Sequence, residues 1–109
     1  DHPGWYHIAA CNRHLVRGEF AEALRAAKRI NMPQHIWGHV LTARAAGELG
    51  RATEAASAID ALLVLAPAME DLDVLTEATR RWKWDDAVVD QMMIGYRNAV
   101  ALRDGARAT

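Results

Sequence analysis

The 109-residue sequence is short of several things that would have announced a function. It has one cysteine, so no disulfide can form within the chain, and a cytoplasmic setting is the simpler reading of its redox compartment. It has almost no net charge, -1 at pH 7, which argues against a general affinity for nucleic acid or an anionic membrane surface. No apolar run approaches the ~20 residues of a membrane span, and the start carries no basic-plus-apolar signal segment. Nor is there a Ser/His/Asp order, a glycine-rich phosphate loop or an H-E-x-x-H motif; the acids are scattered along helix surfaces. The sequence therefore names no catalytic residue and no cofactor, and a non-enzymatic role is expected.

What is present is a helical pattern. Charged residues make up 25% and the AVILMFWYC group 51% of the chain, a balance suited to one folded domain that buries roughly two-thirds of its unfolded surface. From 36 to 67, apolar and small residues recur at Val40, Leu41, Ala43, Ala46, Gly47 and Leu49, then at Ala55, Ala58, Ile59, Leu62, Leu63 and Leu65. That spacing of three and four makes one buried stripe on each of two helices. Gly50 supplies the left-handed turn between them, and Thr53 or the residue before it is the expected cap of the second. Pro67 ends the unit.

The preceding segment repeats the plan. A shift of 32 positions pairs Trp5 with Trp37, His7 with His39, Gly18 with Gly50, Glu22 with Glu54, Ala23 with Ala55 and Ala26 with Ala58. A period in this range signals stacked helix–turn–helix units. Six helices are expected: Gly4 to Arg17, Phe20 to Ile30, Ile36 to Leu49, Thr53 to Leu65, Asp71 to Thr79, and Asp85 to about Arg103. The organisation expected is one domain over 1–109, with a first repeat over 4–35, a second over 36–69, a third helix pair acting as cap over 70–103, and a frayed tail over 104–109.

Gly50, Ala55, Ile59, Leu62 and Pro67 fall where the tetratricopeptide (TPR) repeat has its turn glycine, small residue, large apolar residue, second small residue and closing proline. Leu62 departs from the pattern, as do His39, Thr42 and Ala46 on the first helix. The run from Pro3-Gly4-Trp5-Tyr6-His7 through Gly18-Glu19-Phe20-Ala21-Glu22-Ala23-Leu24, Ile30-Asn31-Met32-Pro33 and Leu49-Gly50-Arg51 to Trp82 and Gly95-Tyr96-Arg97-Asn98-Ala99 resembles the C-terminal repeat region of bacterial multidomain proteins. In those, a class III adenylate/guanylate cyclase domain or a winged-helix domain precedes a tetratricopeptide tail. The resemblance implies an all-α, TPR-like α-solenoid of antiparallel hairpins with a C-terminal capping helix. It also implies a part of a larger signalling protein, which fits a chain that begins at Asp1. It carries over no catalytic residue.

Three constellations are candidates for function. In a stack of such hairpins the first helices line a concave face, where Trp5, Ile8, Asn12 and Val16 of the first unit and Trp37, Val40, Leu41, Arg44 and Glu48 of the second would meet a protein or peptide, the parent chain's own N-terminal domain included. Packing of each Trp on the neighbouring repeat is the competing reading. His7, Cys11 and His14 share one helix face with ligand types that zinc uses, but buried packing is preferred and no metal is expected. Trp82-Lys83-Trp84 beside Arg80 and Arg81 looks like a platform for nucleic acid, yet Asp85, Asp86 and Asp90 cancel the charge, and core packing is preferred. Finally, the wide stripe of the last helix, with Met92 and Met93, offers a homodimer as an alternative to a heterotypic partner.

Overall fold

Gly18 and Gly50 both sit at positive φ, 76° and 73°, where an L side chain is strained by about 1–2 kcal/mol. Each closes the helix before it with the same pair of bonds. The Gly50 N–H donates to the Gly47 carbonyl (3.3 Å) and Arg51 N–H to that of Ala46 (2.9 Å), while Gly18 N–H donates to Leu15 (3.2 Å) and Glu19 N–H to His14 (2.9 Å). These are Schellman terminations, so the two hairpins turn through the same backbone geometry.

A computed structural model of the chain describes residues 4–30, 34–81 and 86–108. Its helices are α1 (Gly4–Val16), α2 (Phe20–Lys28), α3 (Ile36–Leu49), α4 (Ala52–Leu65), α5 (Leu72–Arg80) and α6 (Asp86–Ala108), with a 3₁₀ turn at Pro67–Glu70 between α4 and α5. The described residues contain no strand; the fold is all-α. Asp71, expected as the first residue of α5, instead caps it, its Oδ1 accepting from Asp73 N–H at 2.9 Å. Three further ends differ. Neither Thr53 nor Ala52 caps α4: Arg51 precedes it without a side-chain cap, and instead reaches Glu54 across the first turn at 3.1 Å, where a carboxylate also favours the helix dipole. The stretch from 104, expected to fray, continues α6 through Ala108. Helix α3 is capped by His35, whose Nδ1 accepts from Trp37 N–H at 3.3 Å. Asp85, the expected first residue of the last helix, lies outside the described residues, as do Pro3, Asn31-Met32-Pro33 and Trp82 to Trp84.

Two cores meet on α3. Leu41 and Ala45 join Cys11, Leu15, Ala23, Leu24 and Ala27 of α1 and α2 in the first. Val40, Ala43 and Ala46 join Ile59 and Leu62 of α4, Leu75 of α5, and Val89, Met93 and Tyr96 of α6 in the second. Helix α6 lies along both α3 and α4, whereas α5 touches chiefly the 3₁₀ turn and α6. The cap is therefore made by α6, with α5 as its outer neighbour. Small residues permit this: a Cβ on Gly47 would stand 2.2 Å from the Gly95 carbonyl oxygen and 2.7 Å from Ala99 N, so the two backbones approach through the missing side chain. The Asp60–Arg103 pair, 2.9 Å between Oδ1 and Nε, ties α6 to α4 beside this crossing.

Across the hairpins, Lys28 Nζ meets Glu54 Oε2 at 2.6 Å. The hydrogen bond from Lys28, with Arg51 adding to it against some desolvation, holds the Glu54 carboxyl below its usual range. A lowered folded-state pKa contributes stability above the unfolded value and loses it as pH falls through the carboxylate range. Glu54→Gln should therefore cost about 0.5–1 kcal/mol at pH 7, discounted for partial exposure. In urea titrations at stepped pH, that difference from the parent chain should shrink toward zero in acid.

Candidate functional site

At 100° per residue, Trp37, Arg44 and Glu48 fall on one face of α3. The neighbouring positions decide where that face points. Val40, Ala43 and Gly47, to one side, pack on α4 and α6, and Leu41 and Ala45, to the other, pack on α1 and α2. The stripe thus runs along the seam between α6 and the first hairpin.

Of the residues expected on an open groove, the structure brings Trp37, Arg44 and Glu48 to this seam but leaves them unequally accessible. Trp37 is half-buried against the second core. Glu48 is half-buried, and its carboxylate and Cγ, with the Arg44 stem, flank Gly95 so closely that a Cβ there would lie 2.7 Å from Arg44 Cγ and 2.9 Å from Glu48 Oε1. Val40 and Arg44 are interior, at 5% and 4% exposure, because α6 lies over the face that the sequence reading left open. On α1, Ile8 packs against the first core and Asn12 is half-buried; Leu41 is buried and Val16 is exposed. The Trp5 side chain lies outside the described residues.

Arg44 is the anomaly. Its Nε has no hydrogen-bond partner, and no carboxylate oxygen among the described residues comes within 4.0 Å of the guanidinium. Burial pushes its pKa down from the ordinary arginine value, with the nearby charge of Glu48 acting the other way. Cys11 cannot supply the missing negative charge: burial pushes its thiol up to about 12, against the pull of Arg44, so it is a neutral thiol at physiological pH. A buried cation with an unsatisfied donor is costly.

The remaining candidates differ in their surroundings. Cys11 is fully buried, and His14 Nδ1 bonds to Glu19 Oε1 at 2.8 Å; His7 is half-buried. Among the described residues no group of three or more His, Cys, Asp or Glu is arranged to hold a metal ion. Met92 and Met93, offered by the sequence for self-pairing, are 7% and 4% exposed, their stripe spent on the body of the chain. A shallow cleft of about 400 Å³ separates α5 from α6, lined by Asp73, Glu77, Arg80, Asp90, Ile94 and Arg97 among others. Its charges are of both signs, and Arg80 is already paired with Glu77 at 2.8 Å. None of the described helices is long and apolar enough to cross a membrane.

Comparison with protein-family models, curated proteins and solved structures finds no match. The site therefore stands on its geometry alone. Sequence reasoning missed the part played by Gly47 and Gly95, although glycines inside a helical pattern, where each costs about 1 kcal/mol relative to Ala, signal a packing reason of this kind.

Proposed function

We propose that this chain is a non-catalytic protein-interaction or regulatory module, the C-terminal part of a larger bacterial signalling protein of the cyclase-like or winged-helix kind that its sequence resembles, working in the cytoplasm. On this reading its hairpins form a tetratricopeptide-like repeat closed by α6. The partner is a protein segment, either from another chain or from the parent's own N-terminal domain, and it docks on the α3 seam. The observation that carries the proposal is the stripe of Trp37, Arg44 and Glu48 between two packed cores, an aromatic and two opposite charges, with an arginine that has no ion pair among the described residues and an unpartnered Nε. Interfaces draw their affinity from such anchors, a Trp or an Arg that becomes fully desolvated. Among the described residues of the seam no nucleophile has a base beside it, and the reading takes binding rather than turnover as its chemistry.

The test is a capture experiment with the immobilised chain and its Trp37→Ala and Glu48→Arg variants, each first shown by circular dichroism to remain helical. Partners retained by the parent chain should be depleted at least tenfold on Trp37→Ala. Equal retention on both variants would remove the seam as the docking face. Light scattering over a concentration series should give a monomer; a dimer would instead favour self-association.

A further inference from the structure

Resting on that reading of the α3 seam, we infer that Arg44 is the receptor for a carboxylate carried by an acidic side chain of the partner segment, which enters between α1 and α6 and completes a buried ion pair left open among the described residues. Arg44 as a residue is 4% exposed, and its Nε is buried without a hydrogen-bond partner. Every other charged group that carries an ion pair in the described structure is more exposed, Arg103 at 15% being the nearest case. A planar two-oxygen acceptor suits the fork of a guanidinium, which binds carboxylates bidentately.

The neighbours narrow the choice of anion. Glu48 stands close enough to act on Arg44 through its charge without pairing to it. A phosphate dianion, or a nucleic-acid backbone, would face Glu48 with two charges or more, while a single carboxylate is neutralised by the single arginine. Trp37, two turns away on the same face of α3, is large and half-buried, so the segment that presents the acid is apolar on the side that runs toward it. Gly95 keeps this arrangement possible, because any side chain there would press on the Arg44 stem and the Glu48 carboxylate.

Two measurements test it. In the first, the Arg44 Nε–H resonance, assigned by its disappearance in Arg44→Lys, is followed while sodium acetate replaces sodium chloride at constant ionic strength, with phosphate as the second arm. A saturable shift in acetate that is weaker in phosphate is expected; no shift, or a stronger response to phosphate, overturns the carboxylate. In the second, Arg44→Met should unfold at the same temperature as the parent chain or higher, since a costly unpaired charge has been replaced by an apolar chain of similar length, and it should lose the acetate-dependent rise in Tm. If Arg44→Met unfolds at a lower temperature, or fails to fold, Arg44 is already satisfied within the chain and the inference falls. Capture abolished by Trp37→Ala but unchanged by Arg44→Met would discard the carboxylate and keep the docking face; capture unchanged by either would discard both.

Discussion

Gly47→Ala should destabilise the chain by about 3 kcal/mol, the upper part of the range for overpacking a close contact. On helix propensity alone the same change in an exposed helix would stabilise by up to about 1 kcal/mol, so the sign of the effect is itself the test. The added methyl would lie 2.2 Å from the Gly95 carbonyl oxygen, 2.7 Å from Ala99 N and 3.1 Å from Ala99 Cβ. The first two are backbone atoms of α6 and cannot rotate away. The helix must lift from α3, and with it Val89, Met93, Tyr96 and Ala99, all buried in the second core, lose dispersion contacts together. Gly95→Ala is the control. Its methyl would meet Arg44 Cγ at 2.7 Å and Glu48 Oε1 at 2.9 Å, side-chain atoms that can move, and a cost of about 1 kcal/mol or less is expected. Urea unfolding of both variants gives the order directly. A stabilised Gly47→Ala protein would mean that α6 does not rest on α3 in solution.

The helices were legible because their periodicity and the glycines that end them are local. Gly18 and Gly50 follow amphipathic stretches and are followed by helix formers, and no tertiary information is needed to place a left-handed residue there. The cap at His35 was not legible, since histidine is outside the set of residues that usually cap. The tail that includes Gly105 reads as frayed, yet α6 runs through it, because a glycine only weakens a helix that packing already holds. The candidate site fared worse for a physical reason. Periodicity tells which face of α3 carries Val40, Arg44 and Glu48, but not which element covers that face. The covering helix is α6, about fifty residues along, and its docking depends on two missing side chains rather than on any residue that a pattern search would score. The broad stripe of α6, from Val89 to Ala99, was the one available signal: a helix with that much apolar surface has more than one neighbour, and here it has α3, α4 and α5.

Leu62→Ala should remove about 3–4 kcal/mol, within the range for emptying a buried leucine site, a large part of the ~5–15 kcal/mol that a domain has in total. On the proposed tetratricopeptide-like reading a small residue belongs at this place, so restoring one would be harmless if the second hairpin packed in that way. The environment says otherwise. Leu62 is 0% exposed in a core contributed by four helices, with Ile59 on its own helix, Val40 on α3, Leu75 on α5, and Val89, Met93 and Tyr96 on α6. A cavity bounded from so many sides collapses only if several helices shift at once, which is the condition under which the cavity penalty is largest. Val64, two residues on, turns to the opposite side of α4 and is 81% exposed; Val64→Ala should change stability by no more than about 0.5 kcal/mol. Urea titrations of the pair with unchanged slope would place the whole difference in burial. A loss at Leu62 below about 1 kcal/mol would show that α5 and α6 close over the gap, and so that the cap is free to move against α4, the motion that opening the α3 seam to a partner requires.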